Sequence, residues 1–310
     1  GRVAGTEARG AETVSESVIR APMIALGVDI GGTSVKAAIV RDNHAVATGR
    51  SDPYQRPDLA GLHRAIAAAV APLAAHLSRL DAVGLCLPGL VDRDTGQVIK
   101  SVNMPALVGA DLNALLQDAI GAARPAVSRF SDAHAATFDV WDGRPGRLAG
   151  VSIGAGVGLC VLDDGIALDL GDGSAGHLGQ IDVTIDPRDA PIGPDGGRGG
   201  LEAYMGWPAL RARFGGGASD LGRALTEDET PLRALARAIR IIHAIYRPQR
   251  IVLLGGVGIE LHAQLDRLRA LVSDRLTSLA REGWTLDVAT SPHHAAVGAA
   301  RLAMKSGSPG

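Results

Sequence analysis

The sequence has 310 residues, of which 46% are hydrophobic and 21% are charged, and its formal net charge is −2. A chain of this length and composition can build two hydrophobic cores, whereas its balanced charge, with scattered Lys and Arg, argues against a nucleic-acid partner. The two cysteines, Cys86 and Cys160, lie in apolar strand patterns, so we interpret them as buried reduced thiols of a cytoplasmic protein.

Residues 1–22 precede the first apolar segment. They carry charged residues such as Arg2 and Glu16 and have no apolar core, unlike a signal peptide or a membrane span, so we interpret them as a disordered extension. The Ala-rich stretch 65–75 contains Pro72 and predicts a helix that covers a sheet. No membrane partner is therefore expected.

Hydrophobic patterning predicts an α/β chain in chain order. The predicted strands lie at 24–30, 35–41, 44–49, 81–87, 126–130, 148–153, 157–162, 181–186, 250–254 and 285–289, and the predicted helices at 59–79, 132–142, 201–213, 230–246, 258–281 and 295–305. The pattern has two parts, which start at residues 24 and 148. Each part starts with a β-hairpin and continues with alternating helices and strands. This repetition predicts duplicated α/β halves with mixed sheets.

The first hairpin contains the sequence VDIGGTSVK at 28–36, which places Asp29 near the end of a strand and Gly31 and Gly32 in the turn. Glycines let backbone N–H groups approach an anion closely, and the Thr33 hydroxyl adds a donor. Lys36 in the returning strand completes this candidate phosphate site, and Asp29 is a candidate Mg²⁺ ligand through water. An ordinary hairpin with a solvated Asp is the alternative.

The second hairpin carries Gly154, Ala155 and Gly156, which we interpret as the other side of a triphosphate site. A dinucleotide-binding turn is the alternative, but a strand follows where that fold needs a helix. Further along, Gly255 and Gly256 follow a predicted strand and begin a predicted helix.

Three further motifs follow the first hairpin: GLCLPG ending at Gly89, SVNMP containing Asn103, and SDAHAA beginning at Ser131. Asp132 stands at a strand-to-helix junction, where its carboxylate can act as a general base. An N-cap is the alternative for this residue, as an ordinary turn position is for Asn103.

In this order the motifs resemble those of the ROK family of sugar kinases, within the actin-like, hexokinase-like ATPase superfamily. The resemblance covers residues 23–305. It implies a two-domain actin-like ATPase fold, ribonuclease H-like, with an active-site cleft between the domains. The small N-terminal domain would comprise 23–130 plus 292–306, and the larger C-terminal domain 131–291.

The resemblance also implies that the protein transfers a phosphoryl group from ATP to a small-molecule acceptor and that this reaction uses Mg²⁺. It further implies a homodimer. Asp132 would accept the proton of the attacked hydroxyl. Gly89, Asn103 and Ser131 would line the acceptor site, and adenosine would pack at Gly255 and Gly256.

Several positions depart from the family pattern. The Glu and His that the family places three residues apart, in the segment 175–180, are here His177 and Gln180. The family's cysteine-rich zinc loop is here 191–202, without a cysteine, although its closing Glu202 remains as a candidate acceptor contact. Ser131 replaces an Asn. We therefore expect no zinc site, since structural zinc takes four N or S ligands.

Two hypotheses about function follow. The first is an ATP-dependent kinase that acts on a hexose or on a C7 cyclitol of the valiolone or valienol type, at a primary hydroxyl. The second is a non-catalytic sugar-binding protein of the same family without a DNA-binding domain, because the residues ahead of the first strand are too few for a helix-turn-helix.

Overall fold

The computed structural model describes residues 22–92, 95–121, 125–170, 176–217 and 220–306. The predicted disordered extension therefore lies outside the described residues, apart from Pro22. So does Ala175 of the segment that contains His177.

The first of two five-stranded sheets contains the strands Ile24–Ile30 (β1), Val35–Arg41 (β2), His44–Arg50 (β3), Ala82–Leu87 (β4) and Val127–Ser131 (β7). Their order across the sheet is β3-β2-β1-β4-β7. Strand β1 pairs antiparallel with β2 and parallel with β4. Its apolar residues alternate between the two faces of the sheet, so that Leu26, Val28 and Ile30 enter one core and Ala25 enters another.

Helices cover both faces of this sheet. On one face lies α1 (Leu59–Val70), which continues as a 3-10 helix at Ala71–His76, together with α2 (Leu112–Ile120). On the other face lies α10 (His294–Ser306). It packs so closely against β4 that an added Cβ at Gly84 would stand only 2.1 Å from the carbonyl oxygen of Ala299. A two-stranded ribbon, β5 (Leu90–Val91) and β6 (Val98–Lys100), extends beyond β4.

The segment Leu59–His76 has the length and hydropathy of a membrane-spanning helix. Its apolar residues Leu62, Ile66 and Leu73 are nevertheless fully buried in the core beneath the first sheet. The segment thus packs as the predicted covering helix, although Pro72 ends the α-helical part earlier than the expected 79.

The second sheet repeats the order of the first: β10-β9-β8-β11-β12. Its strands are Arg147–Ile153 (β8), Val157–Asp163 (β9), Ile166–Ala167 (β10), Arg250–Leu254 (β11) and Thr285–Val288 (β12). Its largest core packs against α4 (Leu201–Met205), α5 (Trp207–Phe214), α6 (Leu221–Glu227), α7 (Thr230–Tyr246), α8 (Gly255–Glu260) and α9 (Leu265–Ser273). Helix α3 (Asp132–Asp139) connects the two sheets and packs against α10.

Three predicted elements were wrong. Residues 181–186 form no strand and contribute only an isolated bridge between Asp182 and Gly200. The N–H and the hydroxyl of Thr184 both donate to the Asp182 carboxylate, so this N–H is not available to a neighbouring strand. The helix expected at 201–213 is interrupted at Gly206, whose N–H caps α4, and Pro208 stands in the first turn of α5. The helix expected at 258–281 begins at Gly255, passes through a 3-10 turn and ends at Ser273.

Candidate active site

Three charged side chains lie in one row across the first sheet. Asp29 on β1 is opposite Lys36 on β2, and Lys36 is opposite Arg50 on β3, so all three point to the same face. The Lys36 ammonium lies 3.2 Å from the Asp29 carboxylate, and both side chains are largely buried, at 17% and 7% exposure. This buried pair places a carboxylate and a cation side by side where the glycine turn begins.

The turn that follows β1 is held in shape by hydrogen bonds. The Gly31 N–H donates to the Ser34 carbonyl at 3.2 Å, and the Tyr54 hydroxyl donates to the Gly31 carbonyl at 2.6 Å. Burial, and then the negative charge of Asp29, raise the pKa of Tyr54, so this hydroxyl remains a donor. Thr33 is exposed, and its carbonyl accepts from the Tyr54 N–H at 2.8 Å.

The second glycine turn meets the first. The Gly154 N–H donates to the Gly156 carbonyl at 2.9 Å, and the Gly154 carbonyl accepts from the Trp207 N–H at 2.8 Å. An added Cβ at Gly32 would stand 2.6 Å from the Ala155 Cβ, which is closer than any real contact of this kind. The two candidate phosphate-binding turns are therefore in direct contact.

Asp132 is the first residue of α3, directly after β7. The cap is Ser131, whose hydroxyl accepts from the His134 N–H at 3.2 Å. The Asp132 carboxylate accepts instead from the Ala133 N–H at 2.8 Å and lies 3.9 Å from the place of an added Cβ at Gly158. Ser131 thus takes the capping role that was the alternative interpretation of Asp132.

The pKa of Asp132 is raised to about 6 by two main causes. Surrounding protein atoms desolvate the carboxylate, and the negative charge of Asp29 then disfavours its ionised form. Lys36 and the Ala133 N–H oppose this rise. The residue remains exposed to solvent, and water screening limits the rise.

Asn103 and Glu202 flank the second glycine turn. An added Cβ at Gly156 would lie 2.8 Å from a Glu202 carboxylate oxygen and 3.5 Å from the Asn103 side-chain nitrogen. The same carboxylate oxygen of Glu202 accepts from the Val157 N–H at 3.0 Å. Burial raises the pKa of Glu202 above its usual value, and the hydrogen bond from Val157 offsets only part of this rise. Asn103 also lies beside Gly32, so it contacts both turns.

The remaining candidates lie around this centre. Gly89 follows β4, with a positive φ of 105°, and packs against Lys100 and Ser101, just before Asn103. His177 and Gln180 are both exposed, and between them lies Gly179, where an added Cβ would be 3.0 Å from the Glu202 carboxylate. At Gly255, φ is +79° and an added Cβ would stand 2.5 Å from the Ile153 carbonyl.

Space remains open beside two of the candidate ATP-binding glycines. In the part of the chain that the structure describes, and apart from the adjoining backbone, no heavy atom lies within 4 Å of an added Cβ at Gly154 or at Gly256. A ligand can therefore approach the backbone at these two positions.

Sequence reasoning missed three residues around the Asp29–Lys36 pair: Arg50, Tyr54 and His293. The pairing of the two hairpin strands could have indicated Arg50, since it is opposite Lys36. His293 precedes α10, more than 260 positions from Asp29, and only tertiary structure brings it near. Burial, followed by the charges of Lys36 and Arg50, lowers the pKa of His293.

Among the described residues, no group of three or more His, Cys, Asp or Glu side chains could hold a metal ion. The loop 191–202 is closed instead by hydrogen bonds, such as that from the Gly193 N–H to the Gly197 carbonyl at 2.7 Å. The largely buried carboxylate of Asp29 beside the glycine turn fits a magnesium ion bound through water and phosphate oxygens, because Mg²⁺ prefers hard oxygen donors.

Three comparisons show which known proteins this chain is similar to. The model of the ROK family matches residues 25–306. The N-acetylmannosamine kinase of Citrobacter koseri is 28% identical over 258 residues, which are 76% of this chain and 84% of that protein.

Solved structures share the fold. A ROK family glucokinase from Streptomyces griseus, in complex with glucose and AMPPNP, has a TM-score of 0.72 at 22% identity and covers 91% of this chain and 99% of its own. A ROK family transcriptional regulator, a homologue of the E. coli MLC protein, has a TM-score of 0.69 at 18% identity, covering 92% of this chain and 78% of its own. These likenesses confirm the predicted α/β, actin-like fold, which kinases and a regulator share.

Proposed function

The chain belongs to the ROK family, and on that premise we propose that it is a kinase that transfers the γ-phosphoryl group of ATP to a hydroxyl of a sugar or a sugar-like carbocycle. The observation that carries the proposal is the meeting of the two glycine turns next to the buried Asp29–Lys36 pair, with the Asp132 carboxylate at Gly158 of the second hairpin. A non-catalytic binder has no need of both turns and both carboxylates together.

Phosphoryl transfer depends mainly on positioning the phosphates and on stabilising their charge. The backbone of the two glycine turns faces the phosphates, and Lys36 supplies positive charge beside them. Asp29 would hold Mg²⁺ through water, and the ion neutralises phosphate charge when bound. The open space at Gly154 and Gly256 accommodates the nucleotide.

Asp132 acts as the general base in this proposal. A base is most effective when its pKa lies near the working pH, and a pKa of about 6 leaves Asp132 ionised but still basic at neutral pH. It accepts the proton of the attacked hydroxyl while the oxygen bonds to phosphorus and the bond to ADP breaks. Asn103 and Glu202 orient the acceptor, with Ser131 and Gly89 at its margin.

The acceptor itself follows from the altered positions. A carboxylate accepts hydrogen bonds from two adjacent hydroxyls, whereas the imidazole of His177 and the amide of Gln180 can also donate. Such a pair suits a C7 cyclitol of the valiolone or valienol type, phosphorylated at its exocyclic primary hydroxyl. A hexose is the alternative acceptor. The proposal includes a cytoplasmic homodimer.

A coupled assay of ATP consumption tests both levels of this proposal. Glucose, N-acetylmannosamine and a valienol-type cyclitol would be compared at equal concentration, with and without Mg²⁺. We expect turnover that requires Mg²⁺ and a highest kcat/KM for the cyclitol. A highest value for a hexose would overturn the cyclitol and leave the kinase, whereas sugar binding without turnover on any acceptor would overturn the kinase.

A further inference from the structure

A groove of about 420 Å³ lies between α7 and α9, and none of its lining residues belongs to the candidate active site. Its lining includes five arginines and two acidic residues: Arg233, Arg237, Arg240, Arg267, Arg275, Glu229 and Asp274. The formal charge of this lining is therefore +5 − 2 = +3, in a chain whose net charge is −2. Positive charge is thus concentrated in this groove.

Helical periodicity explains why the charges converge. On α7, Arg233, Arg237 and Arg240 recur at intervals of four and three, which places them on one face of the helix. On α9, Arg267 and Leu271 are also four residues apart and face the groove. The buried Ala236 leaves space between the long arginine side chains.

Part of this charge has a structural partner. Arg267 makes two hydrogen bonds to the Glu229 carboxylate, the longer at 2.7 Å, and Arg237 donates to the Thr184 carbonyl. Within the described ranges, Arg240 and Arg275 have no acidic partner. Their guanidinium groups are therefore available to an anion from solution.

We propose that this groove is a second ligand site, which binds a small molecule carrying phosphate groups. Arginine presents a planar set of donors that matches phosphate oxygens, and several arginines converging in one groove favour a ligand with more than one negative charge. The volume lies in the range of small-molecule sites. Two sources share this chemistry: an inorganic oligophosphate and a phosphorylated metabolite.

Calorimetric titration of the full chain tests the proposal with two probes, tripolyphosphate and glucose 6-phosphate. The double variant Arg240→Gln/Arg275→Gln removes the two unpaired cations. The control Arg79→Gln/Arg211→Gln removes the same charge from exposed positions outside the groove. The wild type, the groove variant and the control variant share the same active site. A difference in affinity between them therefore reports binding in the groove.

We expect the groove variant to bind at least one probe about 10-fold or more weakly than both the wild type and the control, because each charge-assisted hydrogen bond to phosphate is strong. The probe that is affected identifies the source. Equal affinity in all three proteins for both probes would overturn the proposal. So would a loss of self-association in the groove variant alone, measured by light scattering, since the groove would then be an interface. Equal melting temperatures exclude misfolding.

Discussion

The two hairpins that begin the two sheets have the same topology but different chemistry. In the first, Asp29 is opposite Lys36, one pair before the turn. In the second, the corresponding pair is Ser152 and Gly158. The first hairpin supplies charged side chains, whereas the second has none at the matching pair, and the Asp132 carboxylate lies beside its Gly158. The repeated strand order thus carries the charged pair in one hairpin, and in the other a glycine that leaves room for a carboxylate from α3.

The largest expected effect comes from the group in that space. Asp132→Asn keeps the shape and the acceptor oxygen for the Ala133 N–H but cannot take a proton, so kcat should fall about 10²–10⁴-fold. Nucleotide affinity should change little, as measured by calorimetry. Asp266→Asn, at a side chain that is 96% exposed, is the matched control and should retain full kcat.

The same variant separates catalysis from stability. Folding raises the pKa of Asp132 from 3.8 to about 6, so the folded wild type loses stability as the pH rises through this interval. Asp132→Asn should therefore melt higher than the wild type at pH 7, and the two should converge below about pH 4. A lower melting temperature at pH 7 would attribute the loss of kcat to misfolding.

Asp29→Asn tests the charged hairpin. Removing the candidate metal ligand should raise the Mg²⁺ concentration needed for half-maximal rate by about 10–100-fold, the range for groups that act on a metal through its outer shell. The Mg²⁺ dependence of turnover measures this change. An unshifted dependence would separate Asp29 from the metal.

Gly32→Ala tests the contact between the two turns. Its Cβ would overlap the Ala155 Cβ, so we expect a loss of about 1–3 kcal/mol in unfolding free energy, typical of overpacking, together with a lower kcat/KM. Gly222→Ala on α6 is the control, because its Cβ meets Ala263 at an ordinary 3.8 Å. Urea unfolding should show the control to be unchanged or more stable. Equal losses in both variants would contradict close contact of the turns.

Removal of metal ions by a chelator is expected to have no effect on stability. Purified protein should contain no stoichiometric zinc, and EDTA should leave its melting temperature unchanged, because the loop 191–202 is closed by hydrogen bonds. Elemental analysis measures this directly. One zinc per chain would refute the prediction.

The sequence predicted elements best where one signal dominated. The continuous apolar run of β1 and the long pattern of α7 predicted the observed bounds, 24–30 and 230–246. The prediction of one helix at 258–281 was wrong at its end. The apolar spacing continues beyond Ser273, but the backbone turns there, and the Leu276 N–H donates to the Ser273 carbonyl.

Site residues followed the same rule. Asp29, Gly32 and Asp132 were predictable because local motifs carry them. The approach of His293 to Asp29 depends on the packing of α10 across the first sheet, which no local pattern contains. The exposed His177 and Gln180 were found only through their departure from a family pattern.

The pH dependence of kcat tests the central claim most directly: that Asp132 is a general base whose pKa Asp29 raises. The wild type should lose activity below an apparent pKa near 6, because protonated Asp132 cannot accept the hydroxyl proton. In Asp29→Asn, at saturating Mg²⁺, this limb should move to lower pH, since a negative charge that raises the pKa is gone. A rate that is constant from pH 5 to 8, or a limb at the same pH in both proteins, would contradict the account.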